Sequence, residues 1–378
     1  MKTNNNSDAT FKYPISKPSL TDLERTNVIK AYDSTWISSS GEFITMFEKD
    51  FAKYNSVNYG IAVSNGTTAL HLAMEALNIG RGDEVIVPDL TFAATINAVL
   101  HAGATPIIVD IDKNTWCISV DAIKNALSER TKAIIPVHLY GQTCDMDEIM
   151  AIAHHNNLYV IEDCAEAHGA KYKNKKVGSI GHVGCFSFFA NKIITTGEGG
   201  MCLTNDTKLA EKLCILRDHG MSREQKYFHE EVGYNYRMTN IQAAIGVAQL
   251  QRIDEILEKR TQIDLLYRNY LENIDELFLQ ENLPEIEKVT WLFSVLVKEE
   301  YREKLMQELK VASIDSRPFF FPLSEMPIYK EYSTDVKNSK IISKMGLNLP
   351  TYLELDKENI IDITTTIKTI IDEIRCGI

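Results

Sequence analysis

Clusters of positive charge are missing from this sequence. Its 40 lysines and arginines are outnumbered by 52 aspartates and glutamates, the net charge is −12, and no Lys/Arg-rich run occurs. This excludes nucleic-acid or anionic-membrane binding through a general basic surface. Any anionic ligand has to be held by a local site. Paired cysteines are missing too. Cys117, Cys144, Cys164, Cys185, Cys202, Cys214 and Cys376 are scattered, odd in number and form no Cys-x-x-Cys, so neither a disulfide framework nor a zinc site is indicated. Most lie in apolar contexts and read as buried thiols of a reducing compartment. No stretch approaches the ~20 apolar residues that span a membrane. Residues 1–14 are polar and Asn-rich, without the apolar core of a signal peptide. The expected location is the cytoplasm. There is no internal repeat and no low-complexity linker.

What is present is an ordinary globular composition, 44% apolar and 24% charged over 378 residues. That length allows two domains, or one large domain with an appendage. From about residue 58 to 205, short apolar runs alternate with helical periodicity. Strands are expected at 61–64, 84–87, 106–109, 132–137, 158–161 and 183–189, the last with a hairpin partner at 200–203. Helices are expected at 68–79, 95–102, 120–127 and 146–156. Repeated βα units imply a mostly parallel sheet with helices on both faces, and ligands outside the carboxyl ends of the strands. Beyond 205 the pattern turns helical, at 208–219 and in one long helix at 240–257, then mixed, with a strand at 291–297. The expected class is α/β, with a large domain over 15–257 and a smaller α+β domain over 258–378.

Four segments place reactive groups at strand ends. Residues 184–200 read Gly-Cys-Phe-Ser-Phe-Phe-Ala-Asn-Lys-Ile-Ile-Thr-Thr-Gly-Glu-Gly-Gly. Lys192 there follows a buried-strand pattern carrying Ser187 and precedes a glycine-rich turn. This suits an amine that forms a Schiff base beside a phosphate-bearing cofactor. Ser64-Asn65-Gly66-Thr67-Thr68 joins a strand to a helix, where free N–H groups and the positive helix end can hold a phosphate. Asp163 follows an apolar strand and could pair with a protonated pyridine nitrogen, with Glu166 and His168 just beyond. Phe92 could stack on a flat ring. Each has an ordinary alternative: a helix cap, an ion-paired aspartate, a core aromatic, a solvated lysine. Together and in this order, they are what a pyridoxal phosphate enzyme of the aspartate-aminotransferase fold (PLP fold type I) needs.

From about Pro18 onward the chain resembles the DegT/StrS family of sugar aminotransferases. The resemblance is carried by residues 64–70, 82–88 (Gly-Asp-Glu-Val-Ile-Val-Pro), 161–169 (Ile-Glu-Asp-Cys-Ala-Glu-Ala-His-Gly), the Lys192 segment and 233–238 (Gly-Tyr-Asn-Tyr-Arg-Met). It implies that Lys192 is the Schiff-base lysine, that Asp163 contacts the pyridine nitrogen, and that Glu166 lies near the ring hydroxyl. By the same resemblance Gly66, Thr67 and Ser187 hold the phosphate and Phe92 covers the ring. Asn235 would reach the phosphate of a neighbouring subunit, implying a homodimer with shared active sites. The family's dehydratase branch carries histidine where this chain has Lys192, which favours amination. The implied donor is L-glutamate. Residues 187–201 most resemble the branch that aminates C4 of a GDP-linked 4-keto-6-deoxy-mannose. Another keto-sugar nucleotide, a small phosphorylated ketone, or a non-catalytic role in a surface-polysaccharide pathway stay open. So does the donor-carboxylate ligand, for which Arg237 and Arg317 are candidates. Phe319-Phe320-Phe321 departs from the family's more polar pattern, and reads equally as packing or as an apolar wall over substrate.

Overall fold

The computed structural model describes residues 11–222, 224–281 and 283–377. The reading of residues 1–10 as lacking a signal peptide falls outside them. Five apolar segments become parallel strands, β1 (Tyr59–Val63), β2 (Glu84–Pro88), β3 (Thr105–Val109), β4 (Thr131–Ile134) and β5 (Tyr159–Asp163). A small hairpin, β6 (Lys171–Tyr172) and β7 (Lys175–Lys176), leads to β8 (Val183–Ser187) and β9 (Gly200–Thr204). The seven-stranded sheet has the order β1-β9-β8-β5-β4-β2-β3. Only β9 runs against its neighbours, in register from Gly184↔Leu203 to Ser187↔Gly200. The expected mostly parallel sheet and its β8–β9 hairpin are both present.

Strand residues alternate between two cores, as the pleat requires. Ile61, Val63, Val85, Val87 and Ile161 face a cluster shared with α3 (Gly66–Ala76), α4 (Ala94–His101) and α7 (Thr207–Arg217). Ala62, Ile86, Val160 and Phe186 face the opposite cluster. There they meet α2 (Glu42–Tyr54), α5 (Val120–Ala126), α6 (Met146–His155) and α8 (Asn240–Gln251). The amino-terminal α1 (Asp22–Asp33) packs on α8. Full burial of each large apolar side chain contributes about 1.5–3 kcal/mol, so both faces must be covered.

Two of the differences from the expected helices have identifiable causes. Helix α3 starts at Gly66 rather than 68, because Asn65 and Thr68 form a reciprocal capping box. The single helix expected at 240–257 is two: Arg252 closes α8 with non-helical φ −106° and ψ 5°, and α9 (Ile253–Leu271) restarts beyond it. The Arg252 guanidinium is held there by Glu24, 3.4 Å away.

The rest of the chain builds a second, antiparallel sheet in the order β10-β12-β14-β13. Its strands are β10 (Leu277–Leu279), β12 (Phe293–Val297), β13 (Arg317–Pro318) and β14 (Gly346–Leu349), while β11 (Ile286–Glu287) pairs with β6 instead. A third core joins this sheet to α10 (Glu299–Val311), α12 (Lys357–Cys376) and the later turns of α9. Position 257/258 therefore falls inside α9. Residues 319–339 return to the main sheet. Asp89, after β2, accepts hydrogen bonds from Ser324 N (2.7 Å), Ser324 Oγ (2.9 Å) and Ser339 Oγ (2.5 Å). Asp110, after β3, caps α11 (Asn338–Met345) through the N–H groups of Lys337, Asn338 and Ser339. These two carboxylates fasten residues 324–339 to the carboxyl ends of β2 and β3.

Candidate active site

The phosphate-type end of the site forms where β1 passes into α3 beside β8. Asn65 caps the helix by accepting from Thr68 N at 2.9 Å. The first N–H groups of any helix lack internal acceptors, so those of Gly66 and Thr67 are free to bind an anion. Gly66 lies against Ser187: a Cβ at position 66 would stand 2.7 Å from Ser187 Cβ and 3.2 Å from its Oγ. Gly200 abuts the Asn65 carbonyl and leaves no room for a side chain either. A side chain at position 66 would fill the space beside Ser187.

At the other end, β5 delivers Asp163 into the interior, 5% exposed. Its Oδ2 accepts from Thr95 Oγ1 at 2.8 Å and its Oδ1 from Ala165 N at 3.2 Å. Thr95 spends its proton on Asp163, so the 3.0 Å contact with Thr91 Oγ1 must be donated by Thr91. Burial pushes the Asp163 carboxyl up, and the Thr95 and Ala165 hydrogen bonds oppose this. Both donors are neutral, so the carboxylate can still take a cationic partner.

Lys192 lies between these ends. Its Nζ is 3.7 Å from Glu166 Oε1. Burial pushes the ammonium below its usual value, against the pull of Glu166 and then Asp163. Glu166 is in turn pushed up to about 7, by burial first, with the Lys192 charge and the Tyr140 N–H opposing. The Tyr140 N–H donates to Glu166 Oε2 at 2.8 Å. Tyr140 adopts φ 52°, a left-handed turn that aims this N–H inward. Below Lys192 the Trp291 ring centroid is 4.1 Å from Nζ.

Phe92 stands at the rim, 59% exposed, its ring 5.8 Å from that of Phe320. The three consecutive phenylalanines divide their roles. Phe319 is buried against Trp116 and Tyr140, Phe320 faces Phe92 and Tyr140, and Phe321 is exposed. Asn235 is exposed. Its segment runs along the end of β1, with Ser64 N donating to Tyr236 O at 2.8 Å. Its Oδ1 accepts from Arg237 Nε and Nη2 at 3.2 and 3.1 Å, and Arg237 also pairs with Asp218 at 2.9 Å. Arg317 is exposed on β13. A cleft of about 510 Å³ at the opposite ends of the strands, lined by Leu77, Tyr159, His182 and Lys208 among others, contains none of these groups.

Residues 18–368 match the DegT/DnrJ/EryC1/StrS aminotransferase family. The chain belongs to that family. It is 45% identical to a GDP-perosamine synthase of Escherichia coli O157:H7 over 94% of this chain and 98% of the relative. It is 47% identical to another of Caulobacter vibrioides, over 92% and 95%. A putative sugar aminotransferase of Streptococcus pneumoniae, solved in its PLP form, superposes with TM-score 0.90 at 29% identity, covering 95% of this chain and 98% of that one. The protein is a pyridoxal phosphate-dependent aminotransferase.

As a member of this family, the chain has a donor set that suits that cofactor. Free helix N–H groups face a hydroxyl, a buried carboxylate accepts hydrogen bonds from neutral donors, and the Lys192 amine lies between them. Asp163, Glu166 and Lys192 come together, Gly66 meets Ser187 with Thr67 one position on, and Phe92 marks the rim. Thr95, Tyr140 and Trp291 were not anticipated. Thr95 had a legible signal, lying one helical turn beyond Thr91 and three residues after Phe92. Tyr140 and Trp291 had none.

Proposed function

We propose that this chain transfers an amino group from L-glutamate to C4 of a GDP-linked 4-keto-6-deoxyhexose, supplying an amino sugar for a surface polysaccharide. The observation that carries the reading is Lys192, a buried amine 3.7 Å from Glu166 at the carboxyl end of the sheet. The sugar specificity is supported by the two GDP-perosamine synthases, similar over nearly the whole length. Gly66 N–H, Thr67 N–H and Ser187 Oγ would hold the cofactor's phosphate, Asp163 its ring nitrogen, and Phe92 one face of its ring. When bound, pyridoxal phosphate supplies an aldehyde that takes up the amino group and a ring that spreads the electron pair left on the donor carbon.

The chain's own groups do the rest. Lys192 would take the proton from the donor α-carbon as base and give it back as acid. Burial holds its amine below the usual ammonium value, which favours the uncharged form that can accept a proton. Asp163 would pair with the ring nitrogen and favour its protonated form, which helps the ring to spread charge. Glu166 lies near the ring hydroxyl, and its carboxyl, at about 7, can share a proton there. Phe92 and Phe320 exclude water from one side.

We further propose that two copies share each site, with Asn235 reaching the partner's phosphate position. Large apolar side chains left exposed at Trp36, Ile37, Tyr227, Phe228 and Val232 support a covered face. In this reading residues 15–257 form the cofactor domain and 258–378 the smaller one. We place the protein in the cytoplasm, whose reducing conditions suit its seven free cysteines. Among the described residues no helix is long and apolar enough to cross a membrane.

The test is mass spectrometry with ¹⁵N-labelled L-glutamate, added cofactor and GDP-4-keto-6-deoxymannose. A labelled GDP-amino sugar is expected. Donor turnover without label in this acceptor, but with label in another nucleotide sugar or a keto-phosphate, would overturn the specificity. A Lys192→Ala protein turning over near the wild-type rate would overturn the assignment of the amine.

A further inference from the structure

Trp291 lies against the reactive amine, and no motif accounts for it. It precedes β12, far along the chain from β8, yet it is 5% exposed and lies beneath Lys192. Its ring is held by two contacts and its main chain by a third. The indole N–H donates to Asn191 O at 2.6 Å, the carbonyl of the residue before the lysine. The Tyr140 ring stacks on it, 6.1 Å between centroids at 17°. Its own carbonyl accepts from Arg260 Nη1 at 2.7 Å, and Thr290 O accepts from the same nitrogen at 3.1 Å. Arg260 is 2% exposed, and burial pushes its guanidinium down to about 10. A buried cation aimed at two backbone carbonyls fixes where the ring sits.

The Lys192 Nζ is 4.1 Å from the Trp291 centroid and 3.7 Å from Glu166 Oε1. The amine therefore has a π face on one side and a carboxylate on another. Asp163 is the second acidic group acting on it. His168, buried among Phe51, Phe186 and Phe188, also senses the Lys192 charge, but burial first holds that imidazole neutral, down at about 3. Tyr140 keeps its phenol proton, because burial and then Glu166 push it well above the usual range. The negative charge at the lysine thus comes from Glu166 and Asp163, and the π face from Trp291.

We propose that Trp291 is a positioning residue for the transamination, its indole face being the resting place of the Lys192 ammonium whenever that nitrogen is not bonded to the cofactor. The inference rests on Lys192 being the amine that carries the proton. Its chemistry is simple. Between taking a proton from the donor carbon and giving it back, the amine is a cation in a dry site. A tryptophan face stabilises a cation better than any other side-chain ring, most of all where water is excluded. The indole N–H, bound to Asn191 O, fixes the main chain that carries the lysine, so one side chain sets both the position and the charge state.

The test reads the free amine, without turnover. Cofactor-free protein is pulsed with an amine-acylating reagent across pH, and the Lys192 peptide is quantified by mass spectrometry. Loss of the π face in Trp291→Leu is expected to lower the acylation midpoint by about 1 pH unit, making Lys192 about tenfold more reactive below both midpoints. Trp291→Phe keeps a weaker face and is expected to shift less. Should the leucine variant fail to fold, tryptophan replaced biosynthetically by mono-, di- and trifluorotryptophan keeps the shape while draining the face. A graded fall in the midpoint is expected. A flat fluorination series, or an unmoved midpoint in a folded Trp291→Leu protein, overturns the inference. A midpoint that moves in a protein unable to transfer nitrogen refutes the proposed function, and leaves the Trp291 face holding the Lys192 ammonium but with no part in transamination. An unmoved midpoint in an active enzyme does the reverse.

Discussion

Replacing Thr95 by valine removes one hydroxyl from the interior and keeps the shape of the side chain. That hydroxyl donates to Asp163 Oδ2 at 2.8 Å. A hydrogen bond from a neutral donor to a buried anion contributes ~1.5–3 kcal/mol. At ~1.4 kcal/mol per pH unit, its loss raises the Asp163 carboxyl by ~1–2 pH units. Burial already pushes that carboxyl up, so the variant has little reserve. Thr91 also loses its acceptor, which costs about 1 kcal/mol of stability but does not touch the carboxylate. The assay is single-turnover conversion with L-glutamate from pH 5 to 9, without acceptor. The acid limb, set by protonation of Asp163, should move up by ~1–2 pH units while the plateau rate at high pH changes little. The second readout is the same substitution in an Asp163→Asn background, where its effect should largely vanish. An unmoved acid limb, or an undiminished effect in that background, would refute the claim that Thr95 acts through Asp163.

Glu166 carries a pH signature of its own. Its carboxyl is raised from 4.5 to about 7, so the folded protein holds that proton more tightly than the unfolded chain does. The resulting stability is complete below about pH 4.5 and is lost as pH rises through about 7, an effect of about 3 kcal/mol in full. Urea unfolding of the cofactor-free protein at pH 5 and 8 should show this loss, and Glu166→Gln should flatten it; parallel pH profiles for the two proteins would contradict the assignment. Asp89→Ala leaves the buried Ser324 N–H without its acceptor, and should cost about 3 kcal/mol in the urea midpoint. A loss below about 1 kcal/mol would mean that the clasp between β2 and residues 324–339 is already filled by water. Mixed Lys192→Ala and Asn235→Ala proteins should recover about a quarter of wild-type activity, since half of the random dimers are hybrids with one intact site each. No recovery on mixing would place both residues in the same subunit's site.

Most of the sheet was legible because it is written locally. Parallel strands buried on both faces read as apolar runs, and β1 to β5 and β8 are such runs. The long helix was misjudged at Arg252 because the apolar spacing continues through the break, while the pairing with Glu24 that holds the turn depends on distant chain. The same division holds in the site. Gly66, Asp163, Ser187 and Lys192 sit at strand ends that the alternation of elements locates. Tyr140 contributes a backbone N–H through a left-handed turn, and no residue type announces that. Trp291 reaches Lys192 only because the carboxyl-terminal segment folds back over the main sheet. The triple phenylalanine admitted packing and a substrate wall equally, and the fold assigns the first to Phe319 while leaving Phe320 and Phe321 toward the opening.

Gly66 and Ser187 fill one small volume from opposite sides, on α3 and β8. The history open to each is therefore tied to the other. A larger residue at 66 is viable only after 187 has shrunk to glycine, and that step removes the hydroxyl before anything replaces it. Single substitutions in either order pass through a protein that is overpacked or short of the hydroxyl proposed to hold the phosphate. Among descendants of this sequence the two positions should change together or not at all, and a library that randomises one while fixing the other should return the parental residue.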